Sequence, residues 1–447
     1  MEEDKFALVE KILKDVETIM SKNAELCSFD IVPVDTNFQN KSPVLHLENC
    51  LGLESWCVKH VYMYCYTELM DKYFSKPKRK SLKVTTLNAE RLAKLLNITL
   101  LLNPELSTLW NKRREMVEKN LLDKTFELRF SRIVLTRKPK CNDAFAYRRW
   151  LLKDIFLDIN FRNNMDNCIN EELNICGLAS EKSPNNYHSW SHRMWLLQKL
   201  KSLSIEDMST LHIKEYDFSQ QWTAKHVSDF SCYHYRQFCI KNMFSMKSTE
   251  IWKAFENTVN ISLRKSFVRI LALNFPEDTT IHSSENDLLN YSDENLIILL
   301  LGKSFKNNCS CPLDFFMICR QVELLFHELS LNNELIRFYK QHETLWYHRR
   351  FIIHELMSIM YEYFGLVRQN SVLVKNVCGV CQPHELLQKQ VKIVKYDSNC
   401  IFSSLLFNIL ITHERNFYEE RSSDGDNYAD RHEKYLKFVE GLNFNNT

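Results

Sequence analysis

The sequence predicts an all-α protein organised as an array of stacked helical hairpins, and no β-sheet is expected. The first observation is a scarcity of turn-forming residues: the 447 residues include only 7 Gly and 9 Pro, against averages of about 7% and about 5%. Turns that need a positive φ must therefore be scarce, which favours long helices with short connections. The second observation is the length, which exceeds what one compact core usually supports and requires several domains or a repeat array.

A third observation, a repeated pattern, favours the array. A proline slot is followed six positions later by an aromatic residue and three positions after that by an arginine. The five units are Pro104, Trp110 and Arg113; Pro139, Phe145 and Arg148; Pro184, Trp190 and Arg193; Val227, Tyr233 and Arg236; Lys340, Trp346 and Arg349. The first four arginines follow one another at intervals of a few tens of residues, which is typical of one helical hairpin per unit. The interval before the fifth arginine is more than twice as long and leaves room for an insertion or a degenerate unit.

Residues 1–85 are predicted to form an N-terminal helical segment. A helix is expected over residues 6–20, where apolar residues recur at helical spacing. A loop over residues 35–42 and one or two helices over residues 44–71 should follow. Pro77 forbids a continuous helix beyond them.

Residues 86–365 carry the repeats, and each unit is interpreted as a helix, a corner and a second helix. Pro104 ends the first helix of the array, because the residue before a proline is pushed out of the helical region. Ser107 and Thr108, and in later units Asn142 and Asn186, are candidate caps of the second helices.

Two stretches depart from this pattern. A polar insertion is expected near residues 275–295, because residues 276–294 are polar and aperiodic, which predicts a mobile or disordered loop. Helical periodicity resumes at Asp314. Residues 366–447 are predicted to be a C-terminal helical segment ending in a charged tail, with the backbone of residues 416–432 solvated.

Charge and composition limit the classes of partner and compartment. Lys plus Arg number 58 and Asp plus Glu number 56, so no global field favours nucleic acid or an anionic membrane. The acidic N-terminus lacks the features of a secretory signal, and no stretch approaches the roughly 18 apolar residues that a membrane span needs. The 15 cysteines, an odd number, fit reduced thiols in the cytoplasm better than a disulfide framework.

The repeated residues are interpreted first as structural. Positions i and i+3 share a helix face, so each aromatic residue should pack between hairpins while its arginine caps carbonyls or pairs with a carboxylate of the next unit. The residues assigned to this class are Trp110, Arg113, Phe145, Arg148, Trp190, His192, Arg193, Tyr235, Arg236, Trp346, His348 and Arg349.

The corners at which the second helices begin are candidate anion sites. A helix N-terminus presents unpaired amides and the positive end of the helix dipole. Lys140, Tyr187, His188 and Tyr233 lie at such corners.

The segment from Asn186 to Arg193, Asn-Tyr-His-Ser-Trp-Ser-His-Arg, resembles the repeats of protein prenyltransferase alpha subunits. Residues 52–59, 226–238 and 342–350 are similar to one member of that family, and the resemblance covers about residues 43–355. It implies a crescent-shaped, right-handed α-α superhelix wrapped around a separate, all-helical beta subunit. That partner would hold the catalytic zinc, so no cofactor is expected in this chain.

The resemblance also implies roles for individual residues. Lys140 matches a lysine that contacts the diphosphate of the prenyl donor, while Tyr187 and His188 match residues facing the mouth of the active site. Tyr233 and His234 are assigned to the same substrate or beta-subunit side. Asn142 stands where the family has a tyrosine.

The implied partners follow from the same resemblance. They are a prenyl diphosphate, a protein substrate with a C-terminal cysteine, and a beta subunit of the Rab geranylgeranyltransferase type. The sequence therefore predicts an alpha-type subunit of a geranylgeranyl transferase that is inactive alone.

Two alternatives remain open. One is a non-enzymatic scaffold of the tetratricopeptide kind, although the regular period and the Gly and Ala pattern of those repeats are absent. The other is a member that binds a beta subunit or escort-type partner without supporting transfer.

Two further motifs are weak signals. Cys378 and Cys381 with His384, supplemented by Cys309 and Cys311, have metal-ligand spacing but lack a second correctly spaced pair. The basic run at residues 76–83 lacks the interleaved aromatic residues of a nucleic-acid site.

Overall fold

The structure, a computed structural model, describes residues 2–35, 40, 42–74, 86–158, 164–203, 208–275, 285–302, 315–373, 401 and 404–441. Within these ranges the chain forms 18 α-helices and one small sheet. It divides into two compact units, Met1–Ser204 and Ile205–Thr447. The predicted class, a helical-repeat array, is confirmed. None of the helices in the described part is long and apolar enough to cross a membrane.

The N-terminal unit begins with two helices that flank the sheet and continues as three hairpins. The hairpins pack against one another in chain order: the second helix of each hairpin contacts the second helix of the next hairpin. The helices are α1 (Glu2–Lys22), α2 (Ser55–Leu69, extended by a π-helical turn, Met70–Phe74), α3 (Thr86–Leu102), α4 (Ser107–Glu118), α5 (Lys124–Arg137), α6 (Asn142–Ile155), α7 (Met165–Lys182) and α8 (Tyr187–Ser202).

The sheet corrects two sequence-based predictions, the absence of strands and a helix beginning at residue 44. Strands β1 (Ser28–Val32) and β2 (Val44–Leu47) flank β3 (Cys50–Glu54), β1 parallel and β2 antiparallel to it. A side chain on Gly52 would come within 3.1 Å of Val32 and 3.3 Å of Leu45. A glycine therefore lets both neighbours approach the middle strand closely.

The C-terminal unit contains hairpins α9–α10, α15–α16 and α17–α18, with four helices inserted after the first. The helices are α9 (Met208–Lys225), α10 (Phe230–Met243), α11 (Thr249–Val259), α12 (Leu263–Leu273), α13 (Glu285–Asn290), α14 (Asp293–Leu301), α15 (Phe315–Phe338), α16 (Glu343–Leu373), α17 (Leu405–Ser423) and α18 (Asn427–Gly441).

Two predictions about this unit are wrong where the structure tests them. Residues 285–294, expected to be loop, lie in α13 and the start of α14, and Arg264 of α12 pairs with Asp293 there. Residues 416–432, expected to be solvated, lie largely in a packed hairpin in which Phe417 and His432 are buried. The described part does not include the break at Pro77, residues 276–284 or the CxxC motif.

Buried arginine–glutamate pairs connect successive hairpins in both units. Arg113 of α4 donates to Glu127 of α5 through Nε (2.7 Å) and a terminal nitrogen (2.5 Å). Arg349 of α16 donates to Glu414 of α17 at 2.7 and 2.8 Å. Equivalent two-contact pairs join Arg148 to Glu172 and Arg236 to Glu328. These residues are at most 3% exposed, so every charge depends on its partner.

In four hairpins the residue before the arginine slot is a tyrosine or histidine that contacts the other side of the carboxylate in its own hairpin. The contacts are Tyr147 to Glu127 (2.5 Å), His192 to Glu172 (3.0 Å), His348 to Glu328 (3.4 Å) and His432 to Glu414 (2.8 Å). Each glutamate is therefore held by an arginine from the preceding hairpin and by a tyrosine or histidine from its own.

The electrostatics of these clusters favour ionised carboxylates and neutral imidazoles. Burial opposes ionisation of Glu414, but the Arg349 guanidinium and the His432 hydrogen bond outweigh it and lower its pKa to about 2. Glu172, between Arg148 and His192, behaves in the same way. Burial lowers the pKa of His192, His348 and His432. Each imidazole is thus neutral at pH 7 and can donate one N–H to its carboxylate.

Replacing Arg349 with Ala should lower the free energy of unfolding by about 3–5 kcal/mol, because it leaves the buried Glu414 carboxylate unpaired. The matched control is Arg415→Ala, whose pair with Glu440 is 61% and 26% exposed and should contribute less than about 1 kcal/mol. Urea unfolding followed by circular dichroism measures both. Equal losses in the two variants would contradict a dominant role for the buried pair.

Glu414 should also make stability depend on pH in the acid range. Its pKa is about 2 when folded, against an ordinary 4.5, so its contribution is complete above about pH 4.5 and is lost as the pH falls toward 2. The wild type should lose on the order of 3 kcal/mol more than Glu414→Gln between pH 5 and 2. Chemical unfolding at a series of pH values tests this, and parallel profiles would refute it.

Candidate functional site

Two corners of the N-terminal unit are fastened together by one buried side chain. The Asn186 amide donates to the carbonyl of Pro139 (2.7 Å) in the preceding corner and to that of Ala179 (3.2 Å). Its oxygen accepts from the amide of Ser189 (3.2 Å) and caps α8. The N-termini of α6 and α8 therefore lie beside each other.

The other predicted caps differ. The Cys141 sulfur, not Asn142, caps α6. α4 follows Leu106 and has no side-chain cap from Ser107 or Thr108.

Three cationic or titratable side chains converge at this pair of corners. Lys140 is exposed, while His188 and Arg149 are half-buried. Burial, and then the positive charges of Arg149 and Lys140, lower the pKa of His188, so its imidazole is neutral at pH 7. Burial also lowers the pKa of Arg149. Across the described residues, none of the three pairs with a carboxylate.

The predicted residues of the same corner add an exposed aromatic ring. Tyr187 is 61% exposed, and its ring centroid lies 5.7 Å from that of His188. The corner thus presents two unneutralised cations, a neutral imidazole donor, a phenol and two helix N-termini. An anion with several oxygens, such as a phosphate or diphosphate, suits this arrangement.

The structure corrects the placement of Tyr233. It is 2% exposed and packs with its ring centroid 5.1 Å from that of His348, in a core cluster with Trp346. Tyr233 occupies the aromatic slot of its unit, as Trp190 does in the previous one. The surface aromatic residue at the corner is instead Phe230, which is 49% exposed. His234 is exposed, as its assignment requires.

The aromatic slots themselves are core positions. Trp110, Phe145, Trp190 and Trp346 are at most 1% exposed. The Trp110 indole donates to the carbonyl of Pro104, six residues upstream, at 2.8 Å. Trp252 makes the same contact with Met246 at 2.9 Å, although Phe255 replaces the arginine. The inserted pair α11–α12 therefore retains part of the repeat geometry.

Sequence reasoning missed a second periodic set of aromatic residues, two positions after each repeat arginine except Arg113, which is followed there by Glu115. Each ring packs against the histidine or tyrosine that precedes the arginine, with centroids 5.4–6.1 Å apart. The pairs are Tyr147–Trp150, His192–Trp195, Tyr235–Phe238 and His348–Phe351. The signal was present as His or Tyr, Arg, any residue, Trp or Phe.

One group of potential metal ligands occurs in the part that the structure describes. Asp293, Cys319 and Glu323 lie close together, but Arg264 and Arg320 already pair with both carboxylates. Burial also raises the pKa of the Cys319 thiol far above its ordinary value. The group is therefore an ion-pair network that joins α12 and α14 to α15.

The fold and the corner define a class: an all-α repeat protein with Arg–Glu pairs between hairpins and a cationic corner. The family described as "Protein prenyltransferase alpha subunit repeat" matches residues 125–155, 169–200, 213–243 and 325–356. These segments lie in hairpins α5–α6, α7–α8, α9–α10 and α15–α16.

Individual relatives agree. Protein prenyltransferase alpha subunit repeat-containing protein 1-A of Xenopus laevis is 30% identical over 366 residues, covering 78% of this chain and 73% of the relative. The Homo sapiens protein prenyltransferase alpha subunit repeat-containing protein 1 is 28% identical, covering 79% of each. The geranylgeranyl transferase type-2 subunit alpha of Candida albicans is 26% identical over 168 residues, 34% of this chain and 43% of that subunit. The chain belongs to the protein prenyltransferase alpha subunit repeat family, as its motifs predicted.

Proposed function

We propose that the chain is the alpha-type subunit of a protein prenyltransferase that transfers a geranylgeranyl group to a protein cysteine in the cytoplasm. A separate beta subunit of the Rab geranylgeranyltransferase type would hold the zinc and the isoprenoid. Family membership supports the subunit class, and the similarity to geranylgeranyl transferase type-2 alpha subunits supports the donor. The unneutralised corner at Lys140, Arg149 and His188 is the observation that carries the proposal.

The corner would act on the leaving group. When the cysteine sulfur forms its bond to the first carbon of the prenyl donor, the carbon–oxygen bond breaks and the diphosphate takes up negative charge. Lys140 and Arg149 would stabilise that charge more in the transition state than in the ground state. His188, neutral at pH 7, would donate a hydrogen bond.

The substitution of the family tyrosine by Asn142 removes one expected contact at this corner. Lys140 and Arg149 would then account for a larger share of the interaction with the diphosphate. Arg149 suits the task because a guanidinium can engage two phosphate oxygens at once.

A member that binds a partner without supporting transfer is the second candidate. The relatives that cover most of the chain are named for the repeat and for no activity, and the loss of the tyrosine at Asn142 is consistent with weaker chemistry. This candidate binds a beta subunit or an escort-type partner, and with a beta subunit it differs from the first candidate only in turnover.

Association with a beta subunit is the first expected outcome. Co-expression with a beta subunit of the Rab geranylgeranyltransferase type should give a stable one-to-one complex in size-exclusion chromatography with light scattering. A beta subunit of the farnesyltransferase type serves as the comparison. Migration of the two chains as separate species would overturn both candidates and leave the peptide-binding scaffold.

Transfer by that complex tests the corner. Lys140→Ala should lower turnover about tenfold or more, because one group that stabilises the leaving diphosphate is lost, without preventing assembly. Lys138→Ala is the matched control, since Lys138 lies two positions away on the same corner. Single-turnover transfer of a radiolabelled geranylgeranyl group measures the rate. Equal rates in wild type and Lys140→Ala would remove Lys140 from the mechanism. A wild-type complex without turnover would select the second candidate, the member that binds a partner without supporting transfer.

A further inference from the structure

Three second helices of the C-terminal unit present equivalent stripes of residues to the surface. In α10, α16 and α18 the stripe contains residues about one helical turn apart, at positions −2, +2 and +5 relative to the arginine slot. We call their combined surface the aromatic face. Its members are His234, Phe238 and Lys241; Tyr347, Phe351 and His354; Arg431, Tyr435 and Phe438, with Phe230, Glu343 and Arg350.

Side-chain contacts make the three stripes one continuous surface. Lys241 of α10 pairs with Glu355 of α16 at 3.0 Å, and its ammonium lies 5.5 Å from the centre of the Phe351 ring. On the other side of α16, the Tyr435 hydroxyl donates to the carbonyl of Arg350 at 3.3 Å. Arg431 also pairs with Glu343 across these helices, at 2.9 Å.

The face exposes three large aromatic side chains. Phe230, Tyr347 and Phe438 are 49%, 58% and 63% exposed. Phe238 and Phe351 are half-buried and packed on the histidine or tyrosine that precedes the arginine slot. Rings whose inner edges are fixed lose little entropy when their outer surfaces are covered. Aromatic residues fixed in this way are typical of the energetically dominant centre of a protein–protein interface.

The charges on the face indicate the chemistry of its partner. Both carboxylates at this surface are already neutralised, Glu343 by Arg431 and Glu355 by Lys241. Arg350 is half-buried between α16 and α18, with its guanidinium carbon 6.0 Å from the centre of the Tyr435 ring, and it pairs with no carboxylate among the residues described. A surface that complements this face must therefore be apolar and supply an acid.

We propose that the aromatic face docks the second subunit, through an apolar surface whose carboxylate pairs with Arg350. This inference rests on the function proposed above, since it takes the beta subunit as the partner. It assigns docking to residues different from the cationic corner at Lys140. Tyr347 and Arg350, on adjacent turns of α16, are the expected anchors.

The dissociation constant of the wild-type complex, measured by surface plasmon resonance or sedimentation, tests the proposal. Tyr347→Ala and Arg350→Glu should each raise it about thirtyfold, the effect expected for removing an interface anchor. Arg350→Lys should show an intermediate loss, because it keeps the charge but not the planar donor set. Leu273→Ala is the matched control: Leu273 is 75% exposed on α12, outside the face, and its substitution should change the constant less than twofold.

The outcomes separate the two proposals. Binding by the wild type that is unchanged in Tyr347→Ala and Arg350→Glu overturns the docking face and leaves the proposed function intact. No wild-type binding overturns both. Self-association that the same variants abolish would assign the face to a second copy and also overturn the proposal. Tyr347→Ala removes an exposed ring, so its unfolding midpoint should match the wild type and a loss of binding cannot be attributed to misfolding.

Discussion

The stacking of the hairpins depends on a carboxylate that water cannot reach. A glutamate buried without a counter-charge costs several kcal/mol, so within each unit a hairpin that carries such a glutamate must meet the arginine of the hairpin before it in one register. The aromatic slot sets the spacing and the arginine–glutamate pair sets the register, because a shift by one helical turn would separate the charges. A tyrosine or histidine of the same hairpin as the glutamate contacts the glutamate from the other side and fixes the rotation of its own helix. We call the glutamate, the arginine of the preceding hairpin and this tyrosine or histidine the clamp.

The sequence also marks where this clamp begins and ends. Glu127, Glu172 and Glu328 each lie 20 positions before the tyrosine or histidine that closes on them. Counted back in the same way from Lys112, the corresponding position in α3 is the buried Leu92, since no earlier hairpin supplies an arginine. In α18 the arginine slot after His432 is Glu433, paired with Lys437 on the surface. The hairpin α3–α4 thus supplies an arginine to its neighbour but carries no glutamate, whereas α17–α18 carries the glutamate but no arginine.

Local features of the fold could be predicted from the sequence, whereas partners in other elements could not. Trp190 and Arg193 lie within one helix, so their spacing was enough to place them. The clamp partners lie at irregular separations along the chain: 24 positions for Arg148 and Glu172, 65 for Arg349 and Glu414, and 92 for Arg236 and Glu328. Inserted segments therefore conceal the pairing.

Other misses have equally specific causes. The sheet escaped prediction because its strands are only four or five residues long, and so short an alternation is a weak signal. The charged hairpin α17–α18 looked solvated because its buried Glu414 and His432 count as polar. At the corner, Lys140 was found by resemblance, but Arg149 follows a structural arginine and was overlooked.

The same constraint decides which positions are available for function. Once Arg148 or Arg349 is turned into the core, the next residue on the helix must point about 100° away, toward the edge of the second-helix surface. Arg149 and Arg350 occupy that position, and each is half-buried without a carboxylate partner in the described part of the chain. The residue two positions after the arginine, by contrast, packs on the tyrosine or histidine of the clamp and is aromatic in each of the four central hairpins.

The buried clamp therefore determines which side chains reach the surface. It fixes the rotation of the second helix, and that rotation places a cation and a ring at the outer side of the helix. Where such a cation lies near two helix N-termini, as Arg149 does at the corner of Lys140, an anion is favoured. Where it lies among exposed rings, as Arg350 does near Tyr347, a protein surface is favoured.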